Sequence, residues 1–203
     1  MKAKFFGVDV YFSFPAVAFL SLAVLCDKRG TVLICLLSSF LHELGHIVVM
    51  KITGAKLKAV NFNLGDVAIN ADLSMLSYKA EFLVNIGGVA VNFMLSILAF
   101  LLHAMFKADF FRDLFISNVL IGAFNFLPVR YLDGGQIVLI LLQKRFSVKL
   151  SETILNVLTV CFMLPVGICG LLFLFNSSYN YSLLFAVLYL ICTLVSKELK
   201  NVS

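Results

Sequence analysis

Three ionisable residues stand within one turn of an apolar stretch: His42, Glu43 and His46, in the run Phe40-Leu41-His42-Glu43-Leu44-Gly45-His46-Ile47. Ionisable side chains are costly in an apolar span and mark functional positions by default. Residues four apart on a helix share a face, about 6 Å from each other. His42 and His46 are therefore spaced to bind one metal ion, and two imidazoles so placed suit zinc. Glu43 adjoins the first imidazole, where its carboxylate could take a proton from a water that the ion has acidified. Catalytic zinc usually has three protein ligands, so two histidines leave the set one short. The remaining histidine, His103, lies near the far end of a later apolar segment and reads as an interfacial residue. Asp133 is the better third ligand. It lies in Asn125-Phe126-Leu127-Pro128-Val129-Arg130-Tyr131-Leu132-Asp133-Gly134-Gly135, where Pro128 breaks a helix and the two glycines let the backbone turn and approach closely. Irregular backbone at membrane depth survives only if buried in protein or lining a wet cavity. The bland alternative is a plain kink in which Asp133 caps the resumed helix.

The elements that must carry these residues are membrane spans. The 203-residue chain is 62% hydrophobic and 13% charged, about half the charge of a soluble domain, and its length suits one domain. Six apolar segments can be drawn, roughly Val10 to Cys26, Thr31 to Met50, Ala80 to Phe106, Leu114 to Gln143, Thr153 to Phe175 and Tyr181 to Ser196. A span needs about 20 apolar residues. The first and last are short, and the fourth is long enough to be broken at Pro128. The class expected is an α-helical polytopic membrane protein of about six transmembrane helices. The net charge of +5 lies in short loops, with no basic stripe interleaved with aromatics, which argues against a nucleic-acid partner. Eleven of these cations fall on the side that holds both termini and four on the other, with Arg130 inside the broken span. Both termini are therefore expected in the cytosol. His46 stands five residues before Lys51, about 7 to 8 Å along a helix, and Asp133 eleven residues before Lys144, about 16 Å. Both segments end on the cytosolic side, so the groups can meet in that leaflet.

Between the second and third spans the pattern changes. Val60, Phe62 and Leu64 alternate with Asn61 and Asn63, and Val67 and Ile69 alternate after Gly65-Asp66. Period two around a Gly-Asp turn predicts a β-hairpin, one that must lean on the helices or the membrane face to be stable. The five cysteines include no CxxC pair and lie in or beside apolar runs, where cysteine behaves as a small hydrophobe. Lys2 and Lys4 before an apolar stretch suggest a signal peptide, but Leu25 before Cys26 is too large for lipoprotein cleavage and no A-x-A-like site follows. The stretch reads as a retained first span.

An H-E-L-G-H run in an apolar span, followed some ninety residues later by N-x-x-P-x-x-x-L-D-G-G, resembles the site-2 protease family of intramembrane metalloproteases. Gly87-Gly88-Val89-Ala90-Val91-Asn92 resembles that family's G-x-x-x-N stretch. The likeness covers roughly residues 31 to 143. It implies His42, His46 and Asp133 as zinc ligands, Glu43 as catalytic base, and Asn125 and Asn92 as polar groups near the substrate, where a donor would stabilise a developing oxyanion. For Asn92, helix–helix hydrogen bonding beside close-packed glycines is an equal alternative. The layout is similar to the sporulation-type branch, whose substrate is a membrane-tethered pro-sigma factor. No PDZ or CBS module is expected.

The expectation is then a zinc-dependent endopeptidase, a multi-pass protein of a bacterial cytoplasmic membrane with both termini cytosolic. Its partners would be the bilayer, a membrane-tethered protein substrate such as a pro-sigma or anti-sigma factor, and a membrane-protein regulator. The competing classes are a transport-type protein and a catalytically silent one, either using the same residues to bind metal.

Overall fold

The computed structural model describes residues 2–5, 8–12, 14–27, 29–63, 66–72 and 77–176. The chain forms two compact units, residues 1–126 and 127–203.

In the first unit, strands β1 (Lys2–Phe5) and β2 (Val8–Phe12) lead into helices α1 (Phe14–Cys26) and α2 (Thr31–Thr53). Strands β3 (Lys56–Asn63) and β4 (Asp66–Asp72) follow, then α3 (Tyr78–Phe106) and α4 (Asp109–Asn125). The strands form one sheet in the order β1-β2-β3-β4. β1 and β2 run antiparallel, β2 and β3 parallel, and β3 and β4 antiparallel. Parallel neighbours need a crossover, supplied here by α1 and α2. β3 and β4 occupy the stretch whose alternation of apolar residues pointed to a hairpin. The strands near the N-terminus correct the reading of Val10 to Cys26 as one span: Val10 belongs to β2, and α1 has 13 residues. At 1.5 Å per residue such a helix is about 20 Å long, shorter than the hydrocarbon core it was expected to cross. Alternating Val8, Val10 and Phe12 fits a strand as well as a span, and Pro15 sits in the first turn of α1, where its missing N–H costs nothing.

The long helices are inside-out by the standards of a soluble protein. Among the described residues, Ser38, His42, His46, Asn92, Ser96, Ser117 and Asn118 are buried, while Leu33, Leu37, Phe40, Leu98, Phe100 and Leu120 are exposed. The buried stripe of α2 is Ile34, Ser38, His42, Gly45, His46 and Met50, and that of α3 includes Val84, Gly88, Asn92, Ser96 and Ala99. Spacings of three and four put each stripe on one face. Apolar residues outside and polar ones inside suit a surrounding of lipid. Among the described residues, three helices are long and apolar enough to cross a membrane: Thr31–Thr53, Tyr78–Phe106 and Val148–Pro165. The sixth apolar segment, Tyr181 to Ser196, lies outside the described residues.

Helix ends are set by specific residues. Asp27 accepts from the backbone N–H of Val32 at 2.6 Å and of Arg29 at 3.1 Å, satisfying donors at the start of α2. Gly54, at φ 80°, closes α2 in the left-handed region, where a residue without Cβ is favoured. Ser77 caps α3 by accepting from Ala80 N–H at 3.3 Å.

α3 packs on both α2 and α4. The approach of α2 to α3 is backbone on backbone. A Cβ on Gly45 would stand 2.6 Å from the Gly87 carbonyl oxygen, and one on Gly87 would stand 2.9 Å from the Gly45 oxygen. Backbone cannot yield as a side chain can, so Gly45→Ala should part the helices at the level of His46. The expected cost is about 1 to 3 kcal/mol, the usual range for overpacking, read as a lowered unfolding midpoint in detergent.

In the second unit, α5 (Asp133–Gln143) and α6 (Val148–Asn176) pack together. The expected fourth span, Leu114 to Gln143, is divided between α4 and α5 by the irregular residues 126–132. The break falls at Pro128, as helix sterics require. The resulting helices have 17 and 11 residues.

Candidate metal centre

His42 and His46 project from the buried stripe of α2 and are 4% and 7% exposed. Two second partners fix their protonation. His46 Nδ1 lies 2.8 Å from the backbone carbonyl oxygen of Val84 on α3. A carbonyl can only accept, so Nδ1 carries the proton and donates. His42 Nδ1 lies 2.5 Å from Asn92 Oδ1, also on α3. The amide nitrogen of Asn92 is committed elsewhere, donating to Asn118 Oδ1 at 2.9 Å and to the Ser38 carbonyl at 3.4 Å. Its oxygen therefore faces His42, and that ring too holds its proton on Nδ1.

Each ring turns its Nε2 toward the other, and the two Nε2 atoms are 3.1 Å apart. Two nitrogens on one tetrahedral zinc, at about 2.05 Å each, stand about 3.3 Å apart. The rings meet edge to face, centroids 4.8 Å apart and planes at 85°. Histidine ligands almost always donate their other ring N–H to a carbonyl or carboxylate, the arrangement seen here. The residues thus fit the ion that the sequence pointed to.

Gly88 on α3 makes the room for both rings. A Cβ there would lie 2.4 Å from His46 Nε2 and 2.8 Å from His42 Cε1. Glu43 follows His42 on α2 and is half-buried. Asn125 ends α4, and its amide nitrogen donates to the Ile121 carbonyl at 3.1 Å. Asn92 is wholly buried behind His42. His103 is far along α3, its Nδ1 donating to the Ala108 carbonyl at 3.0 Å.

Asp133 is the first residue of α5, half-buried, and the position before it, Leu132, makes no side-chain capping bond. A carboxylate in a helix's first turn is favoured by the helix dipole. The irregular residues before it are pinned. Arg130 N–H donates to Thr159 Oγ1 at 3.0 Å, and the Arg130 carbonyl accepts from the Gln136 side chain. The guanidinium, which the charge count had left inside the broken span, donates to Asn156 Oδ1 on α6 at 2.7 Å. Val129 is 2% exposed, and a Cβ on Gly135 would come 2.0 Å from its carbonyl oxygen. Gly135 lets this loop fold down on α5 and so fixes where α5, and Asp133 with it, begins.

Ser38 and Asn118, which link Asn92 to α2 and α4, belong to no motif and were missed in the sequence. The only signal was the cost of an Asn within the apolar run Leu114-Phe115-Ile116-Ser117-Asn118-Val119-Leu120, which lipid does not forgive without a partner.

Residues 107–166 match Peptidase family M50. The fold is similar to that of the site-2 protease from Methanocaldococcus jannaschii, with a TM-score of 0.70 and 22% sequence identity, covering 94% of this chain and 91% of that one. No curated protein sequence matches. A segment that matches peptidase family M50 thus lies in a chain whose fold is similar to that of a site-2 protease.

Proposed function

We propose that the chain hydrolyses peptide bonds of membrane-tethered proteins, with His42, His46 and Asp133 as the zinc ligands and Glu43 as the catalytic base. The observation that carries this is the pair of Nδ1 anchors, which turns both Nε2 lone pairs of α2 toward one point. Two imidazoles and the Asp133 carboxylate are the donor set that hydrolytic zinc favours. Bound there, zinc would supply Lewis-acid polarisation of the scissile carbonyl and of the attacking water. Glu43 takes the proton from that water and later delivers it to the leaving amine. Asn125 uses one amide hydrogen on Ile121, and the other serves as a donor to the developing oxyanion. Asn92 acts through His42, holding the ring rather than touching the substrate.

A helical substrate shields its peptide bonds with its own hydrogen bonds and must be drawn out before it can be cut. β4 is at the edge of the sheet, and an extended segment can add there as a further strand. Proline substitutions at successive positions of β4 should slow cleavage at alternate positions, those whose N–H faces away from β3. Uniform rates across the series would exclude strand addition.

The distribution of cations among the loops supports cleavage near the cytosolic side, with both termini in the cytosol. The resemblance to the sporulation-type branch makes a pro-sigma or anti-sigma factor the first class of substrate to try. The test is co-expression with a panel of membrane-tethered proteins, followed by assay of the purified enzyme on any that is cut. Cleavage should stop with a zinc chelator and return with zinc. Zinc binding without cleavage of any panel member would favour a silent or transport-type protein, and cleavage indifferent to chelation would remove the metal mechanism.

A further inference from the structure

The orientation of Asn92 decides which nitrogen of His42 can bind metal, and the shorter of the two bonds that hold that orientation comes from a buried residue on α4. Asn118 is wholly buried, as are Asn92 and Ser38. The Asn118 amide nitrogen donates to the backbone carbonyl of Leu114 at 2.9 Å and to Ser38 Oγ at 3.0 Å. The Leu114 oxygen can only accept, so the NH2 group of Asn118 must face it and Oδ1 must face the other way. That oxygen meets the Asn92 amide nitrogen at 2.9 Å. Asn92 must in turn present Oδ1 to His42 Nδ1, at 2.5 Å. Every step in this series has one allowed direction, beginning at a main-chain carbonyl that no side-chain substitution removes. His46 needs no such series, because its Nδ1 meets the Val84 carbonyl directly.

We propose that Asn118 is a positioning residue which, through Asn92, keeps the His42 proton on Nδ1 and so keeps Nε2 available to the metal. This rests on the zinc reading above only for its consequence, since the tautomer exists in the metal-free protein as well. Without the Asn118 oxygen, only the longer bond to the Ser38 carbonyl, at 3.4 Å, opposes the Asn92 amide turning over and offering its NH2 to Nδ1. The imidazole proton then moves to Nε2, where it blocks coordination.

The test uses the full-length chain in detergent, metal-free, with 15N-labelled histidine. Long-range 1H–15N correlations distinguish a protonated ring nitrogen from an unprotonated one, and three histidines in the chain keep the spectrum sparse. In the parent, His42 and His46 should both carry the proton on Nδ1. Asn118→Leu, close in size, should move the His42 proton to Nε2 and leave His46 as it was. Its zinc affinity, measured by competition with a chromophoric chelator, should fall about 10- to 100-fold, the usual effect of losing a partner behind a ligand. Asn118→Asp should restore parental affinity and the Nδ1 proton, because a buried neutral carboxyl can donate to Leu114 and accept from Asn92. Should Asn118→Leu not fold, Asn118→Ala removes the same acceptor with less bulk. A parent with its His42 proton on Nε2 overturns the proposal. So does a folded Asn118→Leu or Asn118→Ala with an unmoved His42, or equal disturbance of His42 and His46, which marks a merely structural role. A parent that binds no zinc, but whose His42 tautomer responds to Asn118→Leu, would sink the metal reading and leave this one standing.

Discussion

Glu43→Gln should abolish cleavage while leaving the zinc content unchanged. The substitution keeps the length and shape of the side chain and removes only its capacity to take up a proton. Glu43 is half-buried on α2, so an isosteric amide disturbs the helix little. General-base catalysis typically contributes about 10²- to 10⁴-fold, and the rate should fall by at least that much. Zinc is to be measured by elemental analysis on the same preparation as the rate. Loss of both together would mean that Glu43 supports the metal rather than the chemistry. A fully active variant would remove it from the mechanism.

Gly88→Ala should have the second-largest effect, and on binding rather than on turnover. The added methyl carbon would lie 2.4 Å from His46 Nε2 and 2.8 Å from His42 Cε1. Surface imidazoles would swing aside. These two cannot, because each Nδ1 is tied to α3 at Val84 or Asn92. Relief requires breaking one of those bonds or parting α2 from α3, and either spoils the approach of the two Nε2 atoms. The zinc affinity of Gly88→Ala should fall at least about 100-fold, the upper part of the range for damage around a metal ligand. Gly122→Ala is the control. Its Cβ would meet Asn92 Cβ at 3.1 Å, a tight contact that small shifts relieve, so its affinity should stay much nearer the parent's. Competition titrations on the two variants side by side give the comparison. Equal affinities would mean that Gly88 packs helices without shaping the centre.

The chemistry was more legible in the sequence than the architecture, for a physical reason. Ionisable residues in an apolar run are few, and the spacing of His42 and His46 has one reading on a helix. Glu43 and Asp133 could be singled out because lipid makes a carboxylate conspicuous. The break before α5 was equally plain, since Pro128 leaves a helix little choice. The N-terminal strands were not legible. Val8, Val10 and Phe12 read as the start of an apolar span when taken with the residues that follow, and only pairing with β3, some fifty positions on, makes them a strand. The partners of the histidines were legible to differing degrees. Asn92 stood in a motif-like stretch, Asn118 and Ser38 in none. The Val84 carbonyl carries no side-chain signature at all, because a main-chain atom is invisible to residue type.

The parallel pairing of β2 with β3 has a consequence for how the chain is made. Asp9 lies opposite Ala59, and α1 and α2 are threaded between them. β2 can find this neighbour only once α1, α2 and some fifty residues of chain stand between the two strands. Both strands must therefore lie on the same face of the bilayer. A reporter that drags the first dozen residues across the bilayer should leave β3 without one of its two neighbours, even with every span in place.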